Sequence, residues 1–189
     1  MFNSTVLEVA IGMISCYCAV SLIVSSINEG VSSMLQLRGK YLLQGIQKLL
    51  NDPDFNHMAQ AVYNNAQFHP AGNGQAVNAK DLESLPSYAS PRQFATALTD
   101  TLTTLQTLPG DMGSAIQNIP NPQLRQALSS MYERAGNDLS QFEAEVAYWF
   151  DQSMQRLAGA YKRTIQVWTV VFGLVLAMVF NIDTFHLFK

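Results

Sequence analysis

Residues 164–182 read TIQVWTVVFGLVLAMVFNI, 19 consecutive residues without a charge. At about 1.5 Å per residue, a helix of roughly 20 residues crosses the ~30 Å hydrocarbon core of a bilayer. Arg163 and Asp183 bracket the run, and Tyr161, Lys162 and Trp168 give it a basic, aromatic border, the residue types that settle at a membrane–water interface. Residues 9–28, VAIGMISCYCAVSLIVSSIN, form a second uncharged run of 20, bracketed by Glu8 and Glu29. It is less apolar, holding Ser15, Ser21, Ser25, Ser26 and Asn28. Serine returns its hydrogen bond to its own helix or gives it to a neighbour, so it is tolerated where two spans touch. A secretory leader is the rival reading, but it needs a basic start. MFNSTVLEVA has no Lys or Arg, so an uncleaved anchor is expected.

Composition agrees. Of the 189 residues, 48% are apolar and 13% charged, against about 25% charged in soluble domains. A net charge of −3 argues against a nucleic-acid partner, which would call for a basic footprint. Two cysteines, Cys16 and Cys18, are too few for a disulfide framework. They read as small apolar fillers.

The basic residues set an orientation. Arg38, Lys40 and Lys48 follow the first run, and Arg156, Lys162 and Arg163 precede the second. Such residues are retained on the cytoplasmic side. Residues 29–163 are therefore expected to face the cytoplasm, with both termini outside. Three regions follow: 1–28, an N-terminal span; 29–163, a helical domain; and 164–189, a second span with a short tail.

The spans are expected to continue as long helices. Met34, Leu35, Leu42, Leu43, Ile46, Leu49 and Leu50 keep close to helical period up to Asn51-Asp52-Pro53, which predicts one rod over residues 5–50. Gly39 and Gly45 weaken it by ~1 kcal/mol each unless they permit close packing. Asp138 with Gln141 three residues on has capping-box spacing. Leu139, Phe142, Val146, Trp149, Phe150, Leu157 and Tyr161 then follow as a stripe, with no proline from residue 138 to the end.

Shorter helices are expected between these two. Residues 58–65 form one candidate. Ser90-Pro91-Arg92-Gln93 is a start signal, followed by Phe94, Leu98, Leu102 and Leu105 on one face and ended by Pro109-Gly110. Asn121-Pro122 starts another, with Leu124, Leu128 and Met131, ending near Gly136. Residues 68–91 read as loop, with Gly72-Asn73-Gly74 as a flexible tip. No strand pattern occurs. The expected fold class is all-α: two transmembrane helices extended by long cytoplasmic helices, with a small helical domain between them.

Several blocks carry a family resemblance: SSINEGVSSMLQLRGKYLLQGIQKLL, PSYASPRQFATALTD, WFDQSMQRLAGAYKRTIQ and FNIDT. They resemble a widespread group of uncharacterised bacterial inner-membrane proteins. Those proteins pair an L-R-G-x-x-L-x-x-G-I helix and a P-S-Y-x-x-P-R-x-F-A segment with a W-F-D-x-S-M-x-R-x-x-G-x-Y-K-R helix that enters a membrane span. The likeness covers about two thirds of the chain. Its most specific block is Trp149, Phe150, Asp151, Ser153, Met154, Arg156, Gly159, Tyr161, Lys162 and Arg163. This chain has Tyr63-Asn64-Asn65-Ala66-Gln67 where many relatives have Y-N-H-P-L, and it stops seven residues after Ile182 where relatives often continue. The resemblance implies a bacterial inner membrane and supplies no activity.

No constellation of catalytic type stands out. His57, His69 and His186 lack metal-ligand spacing, so neither metal nor cofactor is expected. Asp151-x-Ser153-x-x-Arg156 has no nucleophile elbow and no paired His; Asp151 is expected in an ion pair with Arg156 or against a neighbouring helix. Trp149 and Phe150 read as core. An antiparallel hairpin of the spans would put Asn28 and Glu29 level with Tyr161, Lys162 and Arg163, within reach of a Glu29 ion pair. Asn181 and Asp183 close the second span, and neither span carries an ionisable group near its middle, which disfavours a transport pathway. The expected function is a non-enzymatic membrane anchor or scaffold subunit. Its partners are the lipid bilayer, further copies of itself, or a larger complex with a soluble cytoplasmic protein. The alternative is a regulated effector whose spans assemble into a pore in a stress or defence response.

Overall fold

A computed structural model describes residues 4–34, 36–82, 84–104 and 111–179. Within them the chain is all-helical, with seven α-helices, one 3₁₀ turn and no strand. Leu35, Leu105, Pro109-Gly110, Asn181, Asp183 and His186 lie outside the described residues, and with them the readings made on those positions.

Two helices dominate, α1 (Ser4–Met34) and α7 (Leu139–Val179). The 46-residue rod expected over residues 5–50 does not form. Helix α1 ends at Met34, and α2 begins afresh at Leu37 and runs to Leu49. At the junction Gln36 takes a φ of +50°, a left-handed conformation that no α-helix continues, and its N–H closes a turn on the Ser33 carbonyl. Apolar spacing could not reveal this break, because it persists on both sides and neither Gly nor Pro punctuates the junction. Asn51 ends α2 as expected, in the left-handed region at φ +51°.

The chain divides into two compact units, one of Met1–Leu37 with Ala160–Lys189, the other Arg38–Gly159. In the second unit α2, α3 (Met58–Asn64), α4 (Pro91–Thr104), α5 (Met112–Gln117), α6 (Pro122–Arg134) and residues 139–159 of α7 surround one core. Helix α5 has no counterpart in the sequence reading. Its six residues, MGSAIQ, are too few to show a period. The expected starts hold elsewhere. Asn121 caps α6 by accepting from Leu124 N–H, with Pro122 first in the helix. Asp138 accepts from Gln141 N–H at 2.8 Å, and the Ser90 carbonyl takes Phe94 N–H.

The core centres on Phe94 and Phe150, whose rings stack at 4.1 Å and 17°, with Leu98, Leu102, Phe142 and Val146 fully buried beside them. Burying an aromatic ring of this kind stabilises by several kcal/mol relative to exposure. The two glycines of α2 face close neighbours. A Cβ on Gly45 would run into the Leu157 methyls, and one on Gly39 into the Leu85 Cβ and carbonyl. Their helix-weakening effect is the condition for that approach.

In the first unit α1 and α7 expose most of their large apolar side chains. Leu7, Ile11, Ile14, Leu22 and Ile23 on α1 are each more than two-fifths accessible, as are Val167, Trp168, Val170, Leu174, Val175, Met178 and Val179 on α7. Both helices are long and apolar enough to cross a membrane. A soluble core helix of equal hydropathy would have buried these side chains.

Candidate functional site

Two polar places stand out, one in each unit. In the first unit, α1 turns Val20, Val24, Ile27, Val31 and Ser32 inward; Val24 and Ser32 are buried, the others half-buried. Steps of three and four put Val20, Val24, Ile27 and Val31 on one helical stripe, with Ser32 beside it, four residues beyond Asn28. Two side-chain bonds fasten this stripe to α7. Ser32 Oγ and Tyr161 Oη lie 2.7 Å apart, and the Asn28 amide donates to Thr169 Oγ1, whose own proton goes to the Ile165 carbonyl at 2.9 Å. Such bonds hold apolar helices together where lipid supplies no hydrophobic drive between them.

This arrangement corrects the expected register. Asn28 meets Thr169, about two helical turns beyond Tyr161, and the residue that meets Tyr161 is Ser32, one turn beyond Asn28 on α1. Glu29, Lys162 and Arg163 are exposed. Asn28 and Tyr161 thus take part in the α1–α7 contact, each through a residue the sequence reading had not selected. Thr169 and Ser32 become selectable only once the register is known.

In the second unit Phe150 is core, 1% exposed, and Trp149 is half-buried against that core. The expected Asp151–Arg156 ion pair is not formed. Asp151 accepts from the Gln155 amide at 2.8 Å, and Arg156 donates to Ser153 Oγ at 3.2 Å. The reason is helical geometry: neighbours three or four residues along the helix share a face, and a residue five along does not. Ser153 is thus tied to a guanidinium on a half-exposed face, without a base beside it.

The loop after α3 is the larger departure. Gly72-Asn73-Gly74 is not a free tip. Gly74 takes φ +69°, Asn73 Oδ1 accepts from Gln75 N–H at 3.0 Å, and a side chain at Gly72 would run into the buried His69 ring. Asn64 clamps Ala76 from both sides, its amide donating to the carbonyl at 2.9 Å and its oxygen accepting the N–H at 3.0 Å. Gln60 donates to the Ala76 and Val77 carbonyls. Residues 63–67 therefore include part of the chain's own loop clamp. Tyr63, 1% exposed, packs edge-on against Phe55, Phe68 and His69. Burial pushes its hydroxyl well above the usual phenol range.

A last polar residue escaped the sequence reading because its signal was taken as a helix stop. Asp52, 3% exposed, accepts from the N–H groups of Asn56, His57 and Ala59 at 3.1, 3.0 and 3.0 Å. It holds the entry to α3, and His57 Nδ1 lies 3.8 Å from it. Beside it runs a groove of about 300 Å³ between residues 50–57 and Ile119-Pro120-Asn121-Pro122. Among the described residues no group of three or more potential metal ligands gathers.

Fold and polar contacts together define a class: an all-helical protein with two helices long and apolar enough to cross a membrane. No protein-family model, no curated protein and no solved structure matches the chain.

Proposed function

We propose that the chain is an integral membrane anchor or scaffold subunit without enzymatic activity, held by α1 and residues 164–179 of α7. The helical domain between them docks a soluble partner or further copies of the chain. One observation carries this reading. The large apolar side chains of both long helices are exposed, while Asn28 and Ser32 of α1 turn to Thr169 and Tyr161 of α7. Water outside would favour the reverse arrangement.

Self-association has its own support. Gly12, Ser15, Ala19, Ser26 and Gly30 lie along an exposed side of α1, and Gly12 and Gly30 have open space beside them. Small residues let helices approach closely within lipid. The likeness of residues 149–163 to bacterial inner-membrane proteins favours that membrane. The basic residues Arg38, Lys40, Lys48, Arg156, Lys162 and Arg163 favour a cytoplasmic side for residues 29–163.

Fractionation of cells expressing the full chain tests the anchor. The protein is expected to stay in the membrane pellet after an alkaline carbonate wash, and release into the supernatant would overturn the reading. Purification in mild detergent tests the scaffold, with an oligomer or a stoichiometric partner expected and a lone monomer counting against it. A potential-sensitive dye separates the anchor from a pore. Expression should leave the membrane potential intact, and its collapse would favour the effector.

A further inference from the structure

Three buried side chains of the helical domain, Tyr63, His69 and Thr99, end in polar atoms that find no partner among the described residues. Two of these atoms, the Tyr63 hydroxyl and His69 Nδ1, belong to residues 1% and 4% exposed that lie close together. Both residues line one cavity of about 10 Å³, partly roofed by Gly72, Gly74 and Asp81. A buried hydroxyl or ring nitrogen left without a hydrogen bond is costly, and native proteins rarely leave one so. Two of them opening onto the same space is a stronger signal than either alone.

The neighbouring polar groups are already engaged. The Asn64 amide is committed to Ala76. The Asp81 carboxylate accepts from Val77 and Asn78 N–H at 3.1 and 2.7 Å. On its other side the His69 ring meets Ser84 Oγ, at 3.5 Å from Nε2. The cavity's size admits about one water molecule and excludes any organic ligand. A Cβ on Gly72 would lie 2.5 Å from Nδ1, so only glycine leaves the imidazole its place beside this space.

We propose that this cavity is a built hydration site, in which one water bridges the Tyr63 hydroxyl and His69 Nδ1 and thereby locks the loop of residues 65–82 onto α3. An imidazole with its proton on Nε2, toward Ser84, presents Nδ1 as an acceptor. The water donates one hydrogen to Nδ1, accepts the Tyr63 proton, and has its second hydrogen free for the Asp81 carboxylate, whose Oδ2 takes the three bonds from Val77 and Asn78 and which has acceptor capacity left. Three bonds is the usual complement of a buried water. The Asn64–Ala76 clamp fixes one edge of the loop and the water fixes the other.

The sign of one substitution tests this. Tyr63→Phe keeps the ring that packs on Phe55 and Phe68 and deletes only the hydroxyl. Were that hydroxyl an orphan, its removal would leave the full-length protein in mild detergent equally or more heat-stable. With the water in place, Tyr63→Phe should lower Tm by about 2–4 °C and speed amide exchange of residues 69–76 by roughly 5- to 30-fold, leaving exchange in α6 unchanged. An unchanged or raised Tm, or exchange that quickens equally throughout the domain, overturns the proposal. A density map of the unsubstituted protein, at a resolution where ordered waters show, decides independently if the variant does not fold. A peak within hydrogen-bond distance of both atoms supports the site, and an empty cavity overturns it.

Discussion

Replacing Leu174 by lysine separates lipid from water as the surroundings of α7. Leu174 is 59% exposed and lies near the middle of the uncharged run 164–182. If water surrounds it, the substitution is an ordinary surface change, expected to stay within about ±0.5 kcal/mol and to improve solubility. If lipid surrounds it, the arithmetic differs in size and sign. At the centre of a span Leu favours insertion by about 0.3–0.6 kcal/mol and Lys opposes it by about 2.5–3.5 kcal/mol. The exchange therefore costs roughly 3–4 kcal/mol, on the order of 10²–10³-fold in the inserted population, less whatever the lysine recovers by snorkelling. The assay is a reporter active only outside the cytoplasm, fused after Lys189. Its activity should fall sharply in Leu174→Lys and hold in Tyr148→Lys, since Tyr148 is 65% exposed on the same helix but lies in the helical domain. Equal reporter activity and equal fractionation for both variants and the parent would refute lipid as the surroundings of α7.

Four further outcomes follow from the packing. Phe150→Ala should destabilise by about 3–5 kcal/mol, a fall in Tm of roughly 6–20 °C in detergent, because it removes half of a buried ring stack. Asp52→Ala should cost about 2 kcal/mol: it strips the acceptor from the buried Ala59 N–H and from two N–H groups that water can partly serve. Urea unfolding followed by circular dichroism would register the shift in midpoint. Gly45→Ala should cost about 1–3 kcal/mol by overpacking, and Leu157→Ala in the same chain should recover part of that loss; additive effects would show that the two residues do not meet. A double-mutant cycle of Ser32→Ala and Tyr161→Phe should give a coupling of about 0.6 kcal/mol, and at most ~1.7, in thermal unfolding, whereas zero coupling would dissolve the proposed pairing of α1 with α7.

Much of this architecture was legible because it rests on local rules. Asn121-Pro122 and Asp138 announce helix starts, since capping side chains must sit at fixed offsets from the first free N–H groups. The stripe Phe142, Val146 and Phe150 announces a buried face through its period alone. What escaped depends on tertiary context. The turn at Gln36 leaves apolar spacing intact on both sides. Helix α5 is shorter than two turns. Asp52 reads as a stop because its three partners lie four to seven residues ahead, beyond the usual capping offset. Tyr63 and His69 look like ordinary core residues until both are found to line one cavity.

The strongest case for two different surroundings lies within α7 itself. Over residues 139–159 the helix is amphipathic: Phe142, Val146 and Phe150 are buried, while Ser140, Gln141, Gln155 and Arg156 are exposed. A helix with one apolar stripe and a polar remainder rests on a core with water behind it. Beyond Arg163 the polar remainder nearly vanishes. Gln166 is the last charged or amide side chain before Val179, and the exposed positions become Val167, Trp168, Val170, Val171, Leu174, Val175, Met178 and Val179. No proline or turn divides the two halves, so the change belongs to side-chain chemistry alone. A helix apolar on every face needs a nonpolar surrounding on every face, and Thr164 and Thr169 fit that need by returning their hydroxyl protons to the Ala160 and Ile165 carbonyls. Under the proposed anchoring, the boundary lies near Tyr161-Lys162-Arg163. There the last cations before Val179 stand exposed, and the Tyr161 hydroxyl turns to Ser32.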